Sequence, residues 1–191
     1  MIAKTDKKIK RVAFFGDADL PDNDKSCVLA KETAKLLAEN GYIVINGGGP
    51  GVMKASTDGA ALGGGKVELV IIDPKFEPGN YEGSDKENMD YADKIYKTKN
   101  IHERVSKLVE IADAFVIFKG GTGTLAEVGL VWELAKFDFG HHEPLIFVGK
   151  EWEIIVKDIT SKMHFEEKEK RVVATVDTGE EVLKALKQVE S

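Results

Sequence analysis

Two glycine-rich segments, one carboxylate and one arginine are the residues of this chain whose types and spacing suit chemistry. The first segment, "INGGGPGVMKA", holds Gly47, Gly48, Gly49 and Gly51. The second, "FVIFKGGTGTLAEVG", holds Lys119, Gly120, Gly121, Thr122, Gly123 and Thr124, and ends just past Glu127. Each follows an apolar run and opens a helical pattern. Glycine lets the backbone turn sharply and come close to a ligand, since no Cβ intervenes. The helix that follows offers unpaired N–H groups and a partial positive charge to an anion. Two such turns in one crevice point to a phosphate held by backbone donors.

Better-known phosphate patterns fit poorly. Neither loop has the Gly-Lys-Ser/Thr ending of a P-loop. Gly121 to Ala126 matches G-x-G-x-x-G/A, but a dinucleotide fingerprint belongs after the first strand, with an acidic residue ending the second. Here the first strand runs into "FFGDAD" and the second ends at Asn46. Thr124-Leu-Ala-Glu127 also reads as a capping box, in which the threonine caps the helix and Glu127 reaches back. Glu127 therefore has two readings, a cap or a chemical group. Capping needs none of Gly120, Gly121 or Gly123. Asp17 and Asp19 follow the first strand, where they can reach the same crevice or serve helix entry. His141 and His142 are adjacent, point in different directions and lack a spaced partner, so no metal site is expected. His102 reads as a structural or capping residue.

The elements that must position these residues alternate along the chain. Strands are expected at 11–15, 42–46, 66–72, 94–98, 114–118, 145–148 and 172–176. Helices are expected at 24–40, 51–62, 100–111, 124–137, 151–163 and 179–189. Asn40-Gly41 is a helix stop followed by β-branched "YIVI". Runs such as "AFVIF" and "LIFV" are apolar throughout, as in strands covered on both faces. Repeated βα units of this kind imply a three-layer α/β, Rossmann-like domain with a mostly parallel sheet of about seven strands. One domain over 1–191 is expected. Ligands in such folds bind outside the carboxyl ends of the strands, where both glycine segments fall. The polar stretch 73–93 is long for a loop, and loops of that length are usually lids or mobile segments.

Composition narrows the partners. The chain has 191 residues, 42% of them hydrophobic, enough for a real core. A net charge of −6 and a pI near 5.4 argue against nucleic acid, which needs a basic face. A small anionic ligand in a local pocket stays compatible. One cysteine, Cys27, allows no intramolecular disulfide and suits a reducing compartment. It reads as an inert apolar residue. The basic start leads into "VAFF", too short for a signal-peptide core, and no run approaches the ~18 apolar residues of a membrane span. A cytoplasmic location is the expectation.

At this point the residues resemble a family. "KGGTGTLAE" is similar to the P-G-G-x-G-T-x-x-E signature of the Lonely Guy family of cytokinin-activating phosphoribohydrolases, many of whose relatives are labelled "possible lysine decarboxylase". "NGGGPGVMKA" is similar to that family's G-G-G-x-x-G-L-M loop, and "IHERVSKLVEIADAFVIF" to its M-H-x-R-K helix and following strand. The order of elements matches from about Lys10 to Val189. The resemblance implies hydrolysis of the N-glycosidic bond of a nucleoside 5′-monophosphate, without a cofactor, in a homodimer or larger assembly. It implies catalytic roles for Glu127 and Arg104. Phosphate or nucleotide contacts fall to the glycine loops, with Lys119 and the threonines beside them. Lys119 stands where the family has proline, Ala126 replaces a glutamate, and Val105 replaces the lysine of M-H-x-R-K. The same fold also resembles molybdenum-cofactor carriers, so a nucleotide or cofactor carrier without turnover is the alternative. Lysine decarboxylation itself is disfavoured, since nothing marks a lysine for pyridoxal phosphate.

Overall fold

The structure is a computed structural model and describes residues 2, 8–76, 85–135 and 143–190. Seven strands form one sheet: β1 (Arg11–Phe15), β2 (Ile43–Asn46), β3 (Val67–Ile72), β4 (Lys94–Thr98), β5 (Ala114–Ile117), β6 (Leu145–Val148) and β7 (Val173–Val176). The order is β4-β3-β2-β1-β5-β6-β7 and every pairing is parallel. The chain thus builds outward from β1 to β4, then returns to lay β5 against β1 and builds the other way. Such a reversal opens a crevice between the two connections that leave the sheet in opposite directions.

Eight α-helices occupy the described residues: α1 (Lys25–Glu39), α2 (Val52–Leu62), α3 (Lys86–Asp90), α4 (Ile101–Ile111), α5 (Thr122–Ala135), α6 (Lys150–Lys162), α7 (Glu167–Lys170) and α8 (Gly179–Val189). The strand pleat sends successive side chains to opposite faces. Phe14 stacks on Phe118 in the core under α1, α2 and α8, whereas Phe15 stacks on Phe115 in the core under α4, α5 and α6. The apolar runs of β1, β5 and β6 are buried on both faces for this reason. The three-layer arrangement agrees with expectation, and the seven strands fall within one residue of it at each end. The short helices α3 and α7 were not foreseen. No helix among the described residues is long and apolar enough to cross a membrane.

One expected boundary is corrected. Helix α5 begins at Thr122, two residues before the expected Thr124, because the Leu125 N–H already bonds to the Gly121 carbonyl at 3.0 Å. Thr124 is therefore inside the first turn and caps nothing. Glu127 lies beyond that turn, too far along the helix to close a capping box on its start. The capping reading of Glu127 falls with it.

Two buried acids tie stability to alkaline pH. The Glu190 carboxylate accepts from the Ile9 N–H at 2.9 Å and from the Tyr42 hydroxyl at 3.3 Å, clasping the end of α8 to the start of β1 and β2. Burial, then the neighbouring Glu190 charge, pushes the Tyr42 phenol up to about 12. Burial, aided by nearby aspartates, pushes the Cys27 thiol up to about 11, which agrees with its reading as inert. Both groups favour their neutral form when folded. Their contribution is complete below the unfolded values and is lost as pH rises through the folded ones. The thermal midpoint is therefore expected to fall between about pH 9 and 12, with each group contributing on the order of 2 kcal/mol. A Cys27→Ala/Tyr42→Phe double variant should show a much flatter decline in the same calorimetric series.

Candidate functional site

A cleft of about 290 Å³ opens at the carboxyl ends of β1, β2 and β5, where the strand order reverses. Its walls come from four stretches of chain. Gly16 to Asp19 follow β1, and Gly47 follows β2. Met53 belongs to α2, while Ile101, Arg104 and Val105 belong to α4. Gly121 to Thr124, with Ala126 and Glu127, form the start of α5. Both glycine segments thus meet in one crevice, on the same edge of the sheet, with the arginine and the glutamate in its wall.

The glycines of the two segments do different jobs. A Cβ on Gly47 would lie 1.5 Å from Nη2 of Arg104, so the guanidinium rests directly on that backbone. Gly51 adopts φ +61° and a Cβ there would sit 2.3 Å from the Asp17 carbonyl oxygen. Gly48 and Gly49 shape the turn behind Gly47 and are not among the lining residues, nor is Gly51. Gly120 also stands behind the wall, packed on the Thr124 side chain. Gly121 and Gly123 are of another kind. Neither has a positive φ, and a Cβ on either would meet nothing within 4 Å. The fold itself does not require glycine at these two positions. Their bare backbone faces the cleft beside the first amides of α5, which have no partner within the helix. Lys119 is placed differently from its expected companions: its side of the strand end borders a neighbouring groove with Lys25 and Lys150.

This sorting gives an experiment. Gly123→Ala is expected to leave the thermal midpoint unchanged or raise it, since alanine in a helix gains up to about 1 kcal/mol over glycine. The same change should weaken binding of a phosphate-bearing ligand at least about tenfold by blocking close approach. Gly47→Ala should instead lower the midpoint, because the methyl displaces Arg104. Unchanged ligand affinity in the Gly123 variant would show that nothing approaches that backbone.

Arg104 projects inward from α4. Only 5% of it is exposed. Nε donates to the Val70 carbonyl at 3.1 Å and Nη2 to the Met53 sulfur at 3.3 Å. No carboxylate among the described residues pairs with it. A buried cation without a counter-charge is costly, and an anion in the cleft would offset that cost. Its burial was readable: position 104 lies one helical turn before Leu108, on the inner stripe of α4. His102 is exposed and α4 is capped by Asn100, which accepts from the Glu103 N–H at 2.9 Å. The capping role expected for His102 belongs to Asn100.

Three polar residues, two beneath the site and one in its wall, complete it. The Asn46 amide nitrogen lies 2.9–3.1 Å from the Met53 carbonyl, Ser56 Oγ and Thr57 Oγ1, while Oδ1 accepts from the Gly48 N–H at 2.8 Å. It locks the start of α2 to the glycine turn. From α3, Asn88 donates to the Gly49 carbonyl at 2.9 Å and the Asp85 N–H donates to the Gly48 carbonyl at 2.8 Å. Asn46 could have been suspected as a polar end to an apolar strand. Asn88, in a polar stretch, carried no signal. The third is Asp17. Its N–H donates to the Lys119 carbonyl, its carbonyl accepts from the Val52 N–H, and Oδ1 accepts from the Asp19 N–H at 2.8 Å. Among the described residues no group of three or more metal-ligating side chains is assembled, and His141 and His142 lie outside them.

Comparisons with known proteins agree with this fold. A family model described as possible lysine decarboxylase matches residues 53–186. An uncharacterised protein of Archaeoglobus fulgidus is 29% identical over 142 residues, covering 74% of this chain and 86% of its own. The crystal structure of a protein designated TM1055 is similar with a TM-score of 0.71 at 25% identity, over 94% of this chain and 99% of that one. The molybdenum cofactor carrier protein of Chlamydomonas reinhardtii follows with a TM-score of 0.68 at 22% identity, over 95% of this chain and 98% of the carrier. At that identity the second likeness speaks for the fold alone.

Proposed function

The chain belongs to the possible lysine decarboxylase family, and from that premise we propose that it hydrolyses nucleoside 5′-monophosphates. Water attacks C1′ of the ribose, the C1′–N bond breaks, and a free base and ribose 5-phosphate leave. The observation that carries the reading is Arg104, a buried cation with no carboxylate partner among the described residues, sharing a cleft with the open amide turn Gly121–Thr124. Such a pair suits a phosphate held by backbone donors and a guanidinium. Glu127 in the same wall suits the rest of the ligand. Glycoside cleavage passes through an oxocarbenium-like state, which a carboxylate stabilises while it takes a proton from water.

Purified protein incubated with a panel of nucleoside monophosphates should release free base from at least one of them, read by chromatography. Tight binding across the panel with no release would instead identify a carrier of a phosphate-bearing ligand, which the same cleft also suits. Absence of both would remove the phosphate reading.

A homodimer belongs to the proposal. The outer side of α5 exposes Leu125, Leu130 and Leu134, with exposed Ala126 and Gly129 between them. An apolar stripe on a helix that is also apolar inward suits burial against a second copy. A Leu130→Glu/Leu134→Glu variant should sediment as a monomer where the parent does not.

A further inference from the structure

The charges around the cleft are unequal. Among the described residues Arg104 is the one cation in its wall, and no lysine lines it, against the three carboxylates of Asp17, Asp19 and Glu127. Asp17 is anchored from three sides. Its N–H and carbonyl are tied to the end of β5 and the start of α2 at 3.0 Å each, and one carboxylate oxygen is tied to the Asp19 N–H. The backbone at Gly51 also closes on the Asp17 carbonyl, so the segment cannot shift without moving both glycine turns. These anchors keep the Asp17 carboxylate at the cleft wall. Asp19 is exposed at the mouth and faces whatever projects from the cleft.

We propose that Asp17 and Asp19 are specificity-determining residues that restrict the ligand to one anionic group. This rests on the phosphate reading of the cleft. A single phosphate is matched by Arg104 and the amides at the start of α5. A second phosphoryl group would meet the carboxylates of Asp17 and Asp19, with no second cation among the described lining residues to offset them. Like charges a few ångströms apart in a partly dry cleft repel strongly.

The test is equilibrium binding of adenosine, AMP, ADP and ATP without divalent metal, in a Glu127→Gln background that prevents turnover. The parent should bind AMP more tightly than adenosine, and more tightly than ADP or ATP. Asp17→Asn/Asp19→Asn keeps the shape and the Asp17 acceptor but removes both charges. In it the preference for AMP over ADP should fall at least about tenfold. A merely structural role would weaken all four ligands together and leave that ratio alone. An unchanged ratio, or a parent that binds ADP as well as AMP, overturns the inference while the phosphate reading stands. A parent that binds AMP no better than adenosine overturns both.

Discussion

Glutamine at position 127 is expected to leave the fold intact and to lower nucleotide hydrolysis roughly 10²–10⁴-fold, the range for loss of a general base. The two side chains have nearly the same shape. Glutamine cannot take a proton from water or face a developing positive charge with a full negative one. Before the structure, a cap at the helix start offered a competing role that glutamine would also fill. Helix α5 starts too early for that, so capping no longer competes with a role in turnover. Initial rates of base release and the thermal midpoint, measured side by side, decide the matter. A variant that hydrolyses as fast as its parent would take the reaction away from Glu127, and with it the proposed mechanism.

Arg104→Met should abolish useful nucleotide affinity without unfolding the protein. Removing one partner of a desolvated charge pair costs about 2–5 kcal/mol of binding, which is roughly thirty- to several-thousand-fold in Kd. The ligand-free protein should respond in the opposite sense. Methionine fills much of the same space with no buried charge to desolvate, and apolar replacements of buried ions are often neutral or stabilising. The midpoint is expected to hold or rise. Both variants leave the Val70 carbonyl without the Arg104 donor, but Arg104→Ala also leaves a void and should lower stability by about 2–4 kcal/mol. Titration calorimetry with AMP and a melting curve on each variant give the comparison. A methionine variant that melts well below the parent would make the guanidinium a structural member of the core, not a charge held for a ligand.

The architecture was legible because its signals are local. A strand such as "AFVIF" is apolar at every position only when both faces are covered, and Asn40-Gly41 stops a helix by its own backbone preferences. The meeting of the two glycine segments also followed from their placement at strand ends. The misreadings share a cause. Thr124 and Glu127 stand at the spacing of a capping box, and nothing local tells that the Gly121 carbonyl has already accepted the first helical bond. The depth at which Arg104 is buried, unlike its place in the site, shows only when its phase with Leu108 is followed inward. Which glycines the fold needs is decided by atoms far away in sequence: Arg104 against Gly47, Asp17 against Gly51. Spacing along the chain cannot carry that information. Asn88 reached the site only because α3 folds back onto the carbonyl of Gly49.

The pairing of β1 with β5 has a kinetic consequence. Val12 lies beside Ala114, so the cleft's floor joins positions about a hundred residues apart. Closing a loop of that size costs entropy before any contact repays it. The half carrying Arg104 and the half carrying Gly121–Glu127 face one another only once that closure is complete. A nucleotide therefore finds no binding site in early folding species and cannot lower the barrier to reaching the native state. It should leave the refolding rate nearly unchanged and slow unfolding by close to the full factor by which it stabilises the native state. On the proposed function, bound ligand would act as a brake on opening, and the lifetime of the folded chain would be set by how much nucleotide surrounds it.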